Sequence, residues 1–145
     1  MAALTTDRNT AQIMPGHSAG DVAAGVTLYQ GALVMRDAAG DLVAGQTATG
    51  LVGVGCAVRR ADNSAGAAGD LVAEYAQGVF HYANSSGADE ITKANIGDVC
   101  FAVDDQTVAL TNGTNTRSPA GTIHAVDSNG VWVRLDEALT AAAAA

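Results

Sequence analysis

Two adjacent acidic residues, Asp104 and Asp105, lie between two apolar runs in the stretch DVCFAVDDQTVALT, residues 98–111. Two carboxylates can share acid and base work when their environments separate their pKa values and their side chains converge on one substrate. Neighbouring residues of a strand point to opposite faces, and at a turn both carboxylates face water. Asp also favours turns, because its side chain accepts hydrogen bonds from nearby backbone amides. The pattern therefore predicts a bend between two strands rather than a catalytic pair.

The other residue types that carry chemistry are scattered along the chain. His17, His81 and His124 are far apart in sequence, whereas a metal site needs three or four converging ligands. The stretch GLVGVG, residues 50–55, has the spacing G-x-x-G-x-G, and no predicted helix follows it to bind a phosphate group. There is no G-x-S-x-G nucleophile elbow on a predicted strand-to-helix turn. We expect no catalytic residues, no cofactor and no metal.

Two cysteines, Cys56 and Cys100, each lie inside an apolar run. A free thiol in such a place behaves as a small hydrophobic side chain. We expect both thiols to be reduced, since nothing in the sequence directs export to an oxidising compartment. A disulfide stays open as an alternative if the two strands are neighbours.

Composition indicates a single folded domain with an acidic surface. The 145 residues are 48% hydrophobic and only 4% aromatic, and 17 glycines punctuate the apolar runs. The net charge of -8 disfavours binding to nucleic acid or to an anionic membrane surface. No apolar stretch approaches the roughly 20 residues that span a bilayer, and the first twenty residues lack the apolar centre of a signal peptide.

Short apolar runs separated by glycine turns every 8 to 15 residues or so predict an all-β fold, a small antiparallel sandwich or barrel with short hairpins. The clearest hairpin has its turn at residues 127–130, where Asn129 and Gly130 tolerate the backbone angles of a tight turn. One short helical turn is predicted within residues 88–97. Gly78 is expected to mark a bulge or bend in a longer strand.

The strand GLVGVGCAVRR has one nearly bare face. Alternation places Val52, Val54 and Cys56 on one side and Gly53 and Gly55 on the other. A bare face lets another strand, loop or subunit lie flush against the backbone.

The single tryptophan, Trp132, alternates with two valines in the last predicted strand. It is either the main aromatic side chain of the core or an anchor in an interface. We favour the core, because a domain this poor in aromatic residues needs the indole inside.

Three segments divide the chain. Residues 1–21 mix polar residues with isolated Leu4, Ile13 and Met14 and show no period, so we predict an extended N-terminal arm. Residues 22–136 form the single β domain. Residues 137–145 are an alanine-rich tail with good helix propensity, and we expect it to be flexible because nothing in the sequence supplies a packing partner.

In its order of turns and strands the chain resembles the capsid cement, or decoration, proteins of tailed bacteriophages. The resemblance covers residues 20–136 and rests on an ordered set of stretches: GLVGVGCAV, GDLVAEYAQGVFHYAN, ITKANIGDVCFAVDDQTVALT and NGTNTRSPAGTIHAVDSNGVWVRL. It implies a small, β-rich virion protein, often trimeric, that binds the outer capsid surface and bridges major capsid protein subunits. It also implies residence in the host cytoplasm before assembly, and no catalytic residues.

By analogy with that family, the N-terminal arm would contact the capsid. Its apolar residues Leu4, Ile13 and Met14 are then the candidates for partner contact. The main alternative is a structural component of the phage tail or fibre. A second alternative, an enzyme or small-ligand binder with a site between strands, would need a cleft lined by converging polar groups.

Overall fold

The computed structural model describes residues 2–13 and 16–145, and within them the chain folds almost entirely into β-strands. This confirms the predicted all-β class, with antiparallel sheets and a five-stranded barrel. The elements are β1 (His17–Asp21), β2 (Thr27–Leu28), β3 (Leu33–Arg36), β4 (Leu42–Ala44), β5 (Val52–Ala57), β6 (Ala61–Asp62), β7 (Val72–Ala76), β8 (Gly78–Asn84), β9 (Val99–Ala102), β10 (Thr107–Ala109), β11 (Pro119–Asp127), β12 (Gly130–Leu135) and α1 (Glu137–Ala144).

The described residues form two main sheets. The first has the strand order β1-β7-β5-β3-β4, and the second is a closed barrel in the order β10-β8-β12-β11-β9. Neighbouring strands are antiparallel apart from β10 and β8, which run parallel at one side of the barrel. In the first sheet, a parallel bridge between Val22 and Leu42 brings the end of β1 against β4. The first sheet therefore curls on itself without closing fully, and β2 and β6 form a separate small ribbon.

Each sheet encloses its own apolar cluster. The barrel cluster contains side chains from β9, β11 and β12 together with Leu33, Met35 and Ile91. The sheet cluster lies on the other face of the first sheet and includes Leu28, Leu42 and several small residues. The low aromatic content is accommodated because branched aliphatic side chains and close backbone contacts fill both clusters.

The two sheets meet at the glycine-rich strand. A Cβ atom at Gly53 would overlap the carbonyl oxygen of Ala120 in β11, so the bare face of β5 lies flush against a barrel strand. The predicted alternation is wrong beyond this point, because a register shift opposite β3 interrupts it between Gly53 and Gly55. Val54 packs in the sheet cluster, whereas Cys56 packs against the barrel cluster. A bulge gives β5 side chains to both cores.

Gly78 lies where the chain leaves the first sheet and enters the barrel. It is the first residue of β8, it follows β7 by one residue, and its φ is 143°. That angle favours glycine, because L side chains rarely adopt it. The predicted bend is present, and it separates two strands instead of bending one.

The two predicted acidic turns are both present. Asp127 pairs with Gly130 across a two-residue turn between β11 and β12, as the predicted hairpin requires. At the bend between β9 and β10, a carboxylate oxygen of Asp104 accepts a hydrogen bond of 2.9 Å from the backbone N–H of Gln106. Asp104 therefore stabilises a turn, which supports the bend over the catalytic pair.

The predicted boundaries at both ends of the domain need correction. His17–Asp21 does not belong to the free arm, because it pairs residue by residue with β7 as strand β1. The tail is also not free: Glu137–Ala144 is helical, Asp136 caps it by accepting from the N–H of Leu139 at 3.0 Å, and Thr140 is buried.

The short helical turn predicted within residues 88–97 consists of two 3-10 turns, Gly87–Asp89 and Lys93–Asn95. The second turn has a capping box between Thr92 and Asn95. Ile91, between the two turns, is buried in the barrel cluster and fastens this segment to the domain.

Candidate interaction surfaces

The N-terminal arm is open to solvent along its described length. All residues of 2–13 are exposed, and none of them belongs to a helix or strand. The side chain of Leu4 is 72% exposed and that of Ile13 is 80% exposed, so both predicted anchors are available to a partner. The third predicted anchor, Met14, lies outside the described residues.

An open depression of about 660 Å³ lies where the arm meets the first sheet. Its lining residues are Ile13, His17, Ser18, Ala19, Glu74 and Tyr75. Its carboxylate, Glu74, lies 3.4 Å from an Arg59 nitrogen and is therefore already paired. His17 and Ser18 belong to the stretch GHSAG, residues 16–20, which has the G-x-S-x-G spacing. Residues 17–20 of this stretch lie in strand β1, and not at the strand-to-helix turn that a nucleophile elbow requires.

Trp132 is on the outside of the barrel, which overturns the predicted core position. Val131, Val133 and Leu135 are fully buried, so the two-residue period of β12 turns Trp132 outward, where its side chain is 39% exposed. Smaller aliphatic side chains fill the barrel interior, and the indole is not needed there.

Several hydrogen bonds and one ring contact fix the orientation of Trp132. Its indole Nε1 donates to an Asp127 carboxylate oxygen at 3.0 Å, and its ring lies 4.8 Å from the His81 ring, centroid to centroid. Asp127 also accepts from the backbone N–H groups of Asn129 and Gly130, and one of its oxygens lies 3.3 Å from His81 Nε2. These bonds, the one from Asn129 first, lower the pKa of the Asp127 carboxyl below its ordinary value.

Trp132 belongs to an exposed surface built on two barrel strands. Across the β8–β12 pair, Trp132 lies opposite His81 and Arg134 lies opposite Val79. All four are exposed, and we call them the barrel face. Among the described residues Arg134 forms no ion pair, so the barrel face offers an uncompensated cation beside an aromatic ring.

A second open depression, of about 350 Å³, lies nearby. Tyr29, Gly31, Ala32, Asp105 and Gln106 line it, and we call it the Tyr29 groove. The Tyr29 side chain is 55% exposed, with the Arg60 guanidinium 5.1 Å from its ring centroid. Within the described part of the chain, Asp105 has no cation within ion-pair distance. The groove therefore presents an aromatic ring beside an uncompensated carboxylate.

Two buried groups, Cys100 and Tyr82, have raised pKa values. Cys56 and Cys100 are both free thiols, as predicted, and burial raises the pKa of Cys100 to about 12. Burial also raises the pKa of Tyr82 far above its ordinary value. Both groups stay protonated at neutral pH, and a thiol in that state is a poor nucleophile.

Two negative findings concern the described residues 2–13 and 16–145. No three side chains among their His, Cys, Asp and Glu residues are grouped in a way that could hold a metal ion. No helix formed by them is long and apolar enough to cross a membrane.

Sequence reasoning missed both the barrel face and the Tyr29 groove. The spacing of Trp132 and Arg134 was an available signal, because residues two apart on a strand share a face. The pairing of that face with His81 and Val79 depends on strand register, and the groove unites residues more than seventy positions apart. No local pattern reveals such a site.

Comparison of the chain with protein-family models, with curated proteins and with solved structures finds no match in any of the three.

Proposed function

We propose that this chain is a non-enzymatic virion protein that binds the outer surface of a phage head and stabilises the capsid by bridging major capsid protein subunits. On this proposal it acts as a homotrimer and resides in the host cytoplasm before assembly. The observation that carries the proposal is the arm, residues 2–13, which is exposed throughout and presents two large apolar side chains, Leu4 and Ile13, to solvent.

The arm has the reach to bridge neighbouring subunits. Twelve residues in an extended conformation span roughly 40 Å, at about 3.3 Å per residue. Burying Leu4 and Ile13 in a partner would contribute about 1.5 to 3 kcal/mol each, which offsets part of the entropy lost when the arm is ordered. A contact of this kind is modest alone, but many copies on one shell resist its expansion together because the contacts are linked.

Charge also fits attachment to the outside of a particle. The chain carries a net charge of -8, whereas the arm contains one acid, Asp7, and one base, Arg8. A near-neutral arm can approach a protein surface that the acidic domain would meet less favourably. The acidic domain also keeps the unattached protein soluble and away from nucleic acid.

The sequence resemblance gives this arm a partner class, and the strand that follows the arm, β1, is fastened to the first sheet by its pairing with β7. The barrel completes the domain. Each barrel strand is hydrogen-bonded on both sides, so the domain presents no open barrel edge for unwanted strand pairing. A folded domain that carries one exposed arm suits a protein whose role is to bind other proteins.

The test is addition of the purified protein to expanded phage heads that lack it. We expect the protein to sediment with the heads and to raise their melting temperature in calorimetry. The double variant Leu4→Ser with Ile13→Ser should fold normally and bind about tenfold or more weakly, because 1.4 kcal/mol of lost contact energy corresponds to a factor of ten. Thr5→Ser with Thr6→Ser is the matched control in the same arm and should bind like the unmodified protein.

Two results would contradict the proposal. One is failure of the full-length protein to bind or stabilise heads from its own phage. The other is labelled protein that lies along the tail in electron micrographs, which would favour the tail or fibre alternative.

A further inference from the structure

We propose that the barrel face of one copy docks into the Tyr29 groove of a second copy, with Arg134 against Asp105 and Trp132 against Tyr29. The inference deepens the proposed function, on which it rests, because it names the surfaces that join the copies of the assembly. It does not concern the arm, which stays free to contact the capsid.

The barrel face has the properties of an interface centre. Tryptophan and arginine are the residues that most often dominate binding energy in protein interfaces, and here Trp132 and Arg134 lie two positions apart on one strand. Asp127 and His81 hold the indole in place before any partner arrives. Little side-chain entropy is then lost on binding, which favours association.

Charge complementarity between Arg134 and Asp105 supports another copy of this chain as the occupant. Most guanidinium groups of the domain already have a carboxylate partner: Arg36 with Glu137, Arg59 with Glu74, Arg60 with Asp62, and Arg117 with Asp89. Arg134 and Asp105 both lack an ion-pair partner within the described residues. A contact between copies satisfies both at once, and each surface adds one exposed aromatic ring.

The two surfaces are neighbours on one side of the molecule. Trp132 lies opposite His81 on β8, and two residues further along that strand the N–H of Ala83 donates to the carbonyl oxygen of Gln106 at 2.8 Å. Gln106 is a wall of the Tyr29 groove. When the two surfaces of a head-to-tail contact lie close together on one molecule, each copy is rotated by a large angle relative to the copy before it. A large rotation favours a closed ring of few copies over a filament.

A face-to-face dimer through the barrel face is the less favourable arrangement. Such a dimer would place two copies of Arg134 in one interface without an ion-pair partner from the barrel face, and like charges in one interface oppose binding. The groove supplies the opposite charge instead.

The experiment uses the unmodified full-length chain and follows self-association by sedimentation velocity and by fluorescence. Trp132 is the only tryptophan, so its emission reports this surface alone. With rising concentration we expect oligomers, a shift of the emission to shorter wavelength and weaker quenching by acrylamide. Arg134→Glu should weaken self-association about tenfold or more, and Asp105→Asn should weaken it less.

A charge exchange makes the test specific. Arg134→Glu combined with Asp105→Arg in one chain restores opposite charges across the proposed contact, and self-association should return. Circular dichroism and thermal melting check that each variant is folded. Arg59→Glu, a charge reversal at another exposed site, is the matched control and should associate like the unmodified chain.

The inference is overturned if the unmodified chain stays monomeric at its highest soluble concentration, if Arg134→Glu associates normally, or if the exchange variant fails to recover. The head-binding assay separates this outcome from failure of the proposed function. Normal head binding by a monomeric Arg134→Glu variant refutes only the contact between copies. An Arg134→Glu variant that associates normally but no longer binds heads assigns the barrel face to the capsid instead.

Discussion

The barrel and the curled first sheet differ in how their edge strands are held in place. Every barrel strand has a hydrogen-bonded neighbour on both sides, so backbone hydrogen bonds alone close the barrel. The first sheet ends in β1 and β4, which meet only at the bridge between Val22 and Leu42. Side chains must therefore hold the curled sheet together where the backbone does not.

Two polar connections do this. The buried amide of Asn63 donates to the carbonyl oxygens of Val22, Ala23 and Ala67 at 2.9 to 3.3 Å, and so ties the chain beyond β1 to the loop after β6. On the other side, Arg36 of β3 pairs with Glu137 of α1 at 2.8 Å and donates to the Tyr75 hydroxyl at 2.9 Å. The comparison teaches that the sheet depends on a few specific side chains, whereas the barrel depends on closure and apolar packing.

The largest effect is expected where the two halves meet. Gly53→Val places a branched side chain against the Ala120 carbonyl, and the backbones of β5 and β11 must separate to admit it. We expect the free energy of unfolding to fall by about 4 kcal/mol, at the upper end for overpacking. Urea denaturation measures it. Gly20→Ala is the control, because its Cβ would meet only the flexible side chain of Leu42, and it should lose far less.

Matched leucine truncations test the two halves directly. Leu135 in the barrel and Leu42 in the sheet are both fully buried. Leu135→Ala should lower the free energy of unfolding by about 3 kcal/mol, because a closed barrel cannot collapse around the cavity. Leu42→Ala should lower the free energy of unfolding less, because β4 is an edge strand that can move inward to fill the cavity. If urea denaturation gives the same decrease in the free energy of unfolding for both variants, the barrel and the first sheet do not differ in how they adjust to a cavity.

The polar connection at Asn63 is specific to the sheet. Asn63→Ala removes a side-chain donor from three carbonyl oxygens, of which those of Val22 and Ala67 keep a backbone donor, and should lower the free energy of unfolding by about 1 to 2 kcal/mol. Hydrogen exchange should accelerate near Val22 and Ala67 while the amides of β12 keep their protection. Ala65→Ser, at an exposed position in the same loop, is the control. Uniform acceleration across both halves would argue against a local role.

Local patterns predicted the features that depend on a few consecutive residues. The hairpin turn before Gly130, the bend at Asp104 and the corner at Gly78 all follow from turn residues between apolar runs. The all-β class follows from the repeated spacing of such turns. Of the three candidate contact residues, Leu4 and Ile13 are exposed as an arm contact requires, and their partner stays a prediction.

Features set by distant residues could not be predicted this way. The bulge in β5 is visible only in its register with β3, and the helix after Asp136 is fastened by Arg36, about a hundred positions away. The composition favours a core position for Trp132, whereas the two-residue period of β12, with Val131 and Val133 buried, turns it outward. Composition describes the whole chain, whereas strand period decides the direction of one side chain.

The smallest predicted effect concerns the acid response of the barrel hairpin. The pKa of Asp127 is lowered in the folded protein, so its carboxylate stabilises the fold above its ordinary pKa near 3.8, and this contribution is lost as the pH falls through the lower folded value. Asp127→Asn should therefore lower the melting temperature slightly at pH 7, and its difference from the unmodified chain should shrink below about pH 4. The variant should also free the indole of Trp132 and change its fluorescence anisotropy. Asp62, whose pKa is lowered chiefly by its bonds to Ser64, provides the matched case outside the barrel: Asp62→Asn should show the same pH dependence without the fluorescence change. If the two variants alter the indole signal equally, Asp127 does not hold Trp132, and the preorganised barrel face loses its basis.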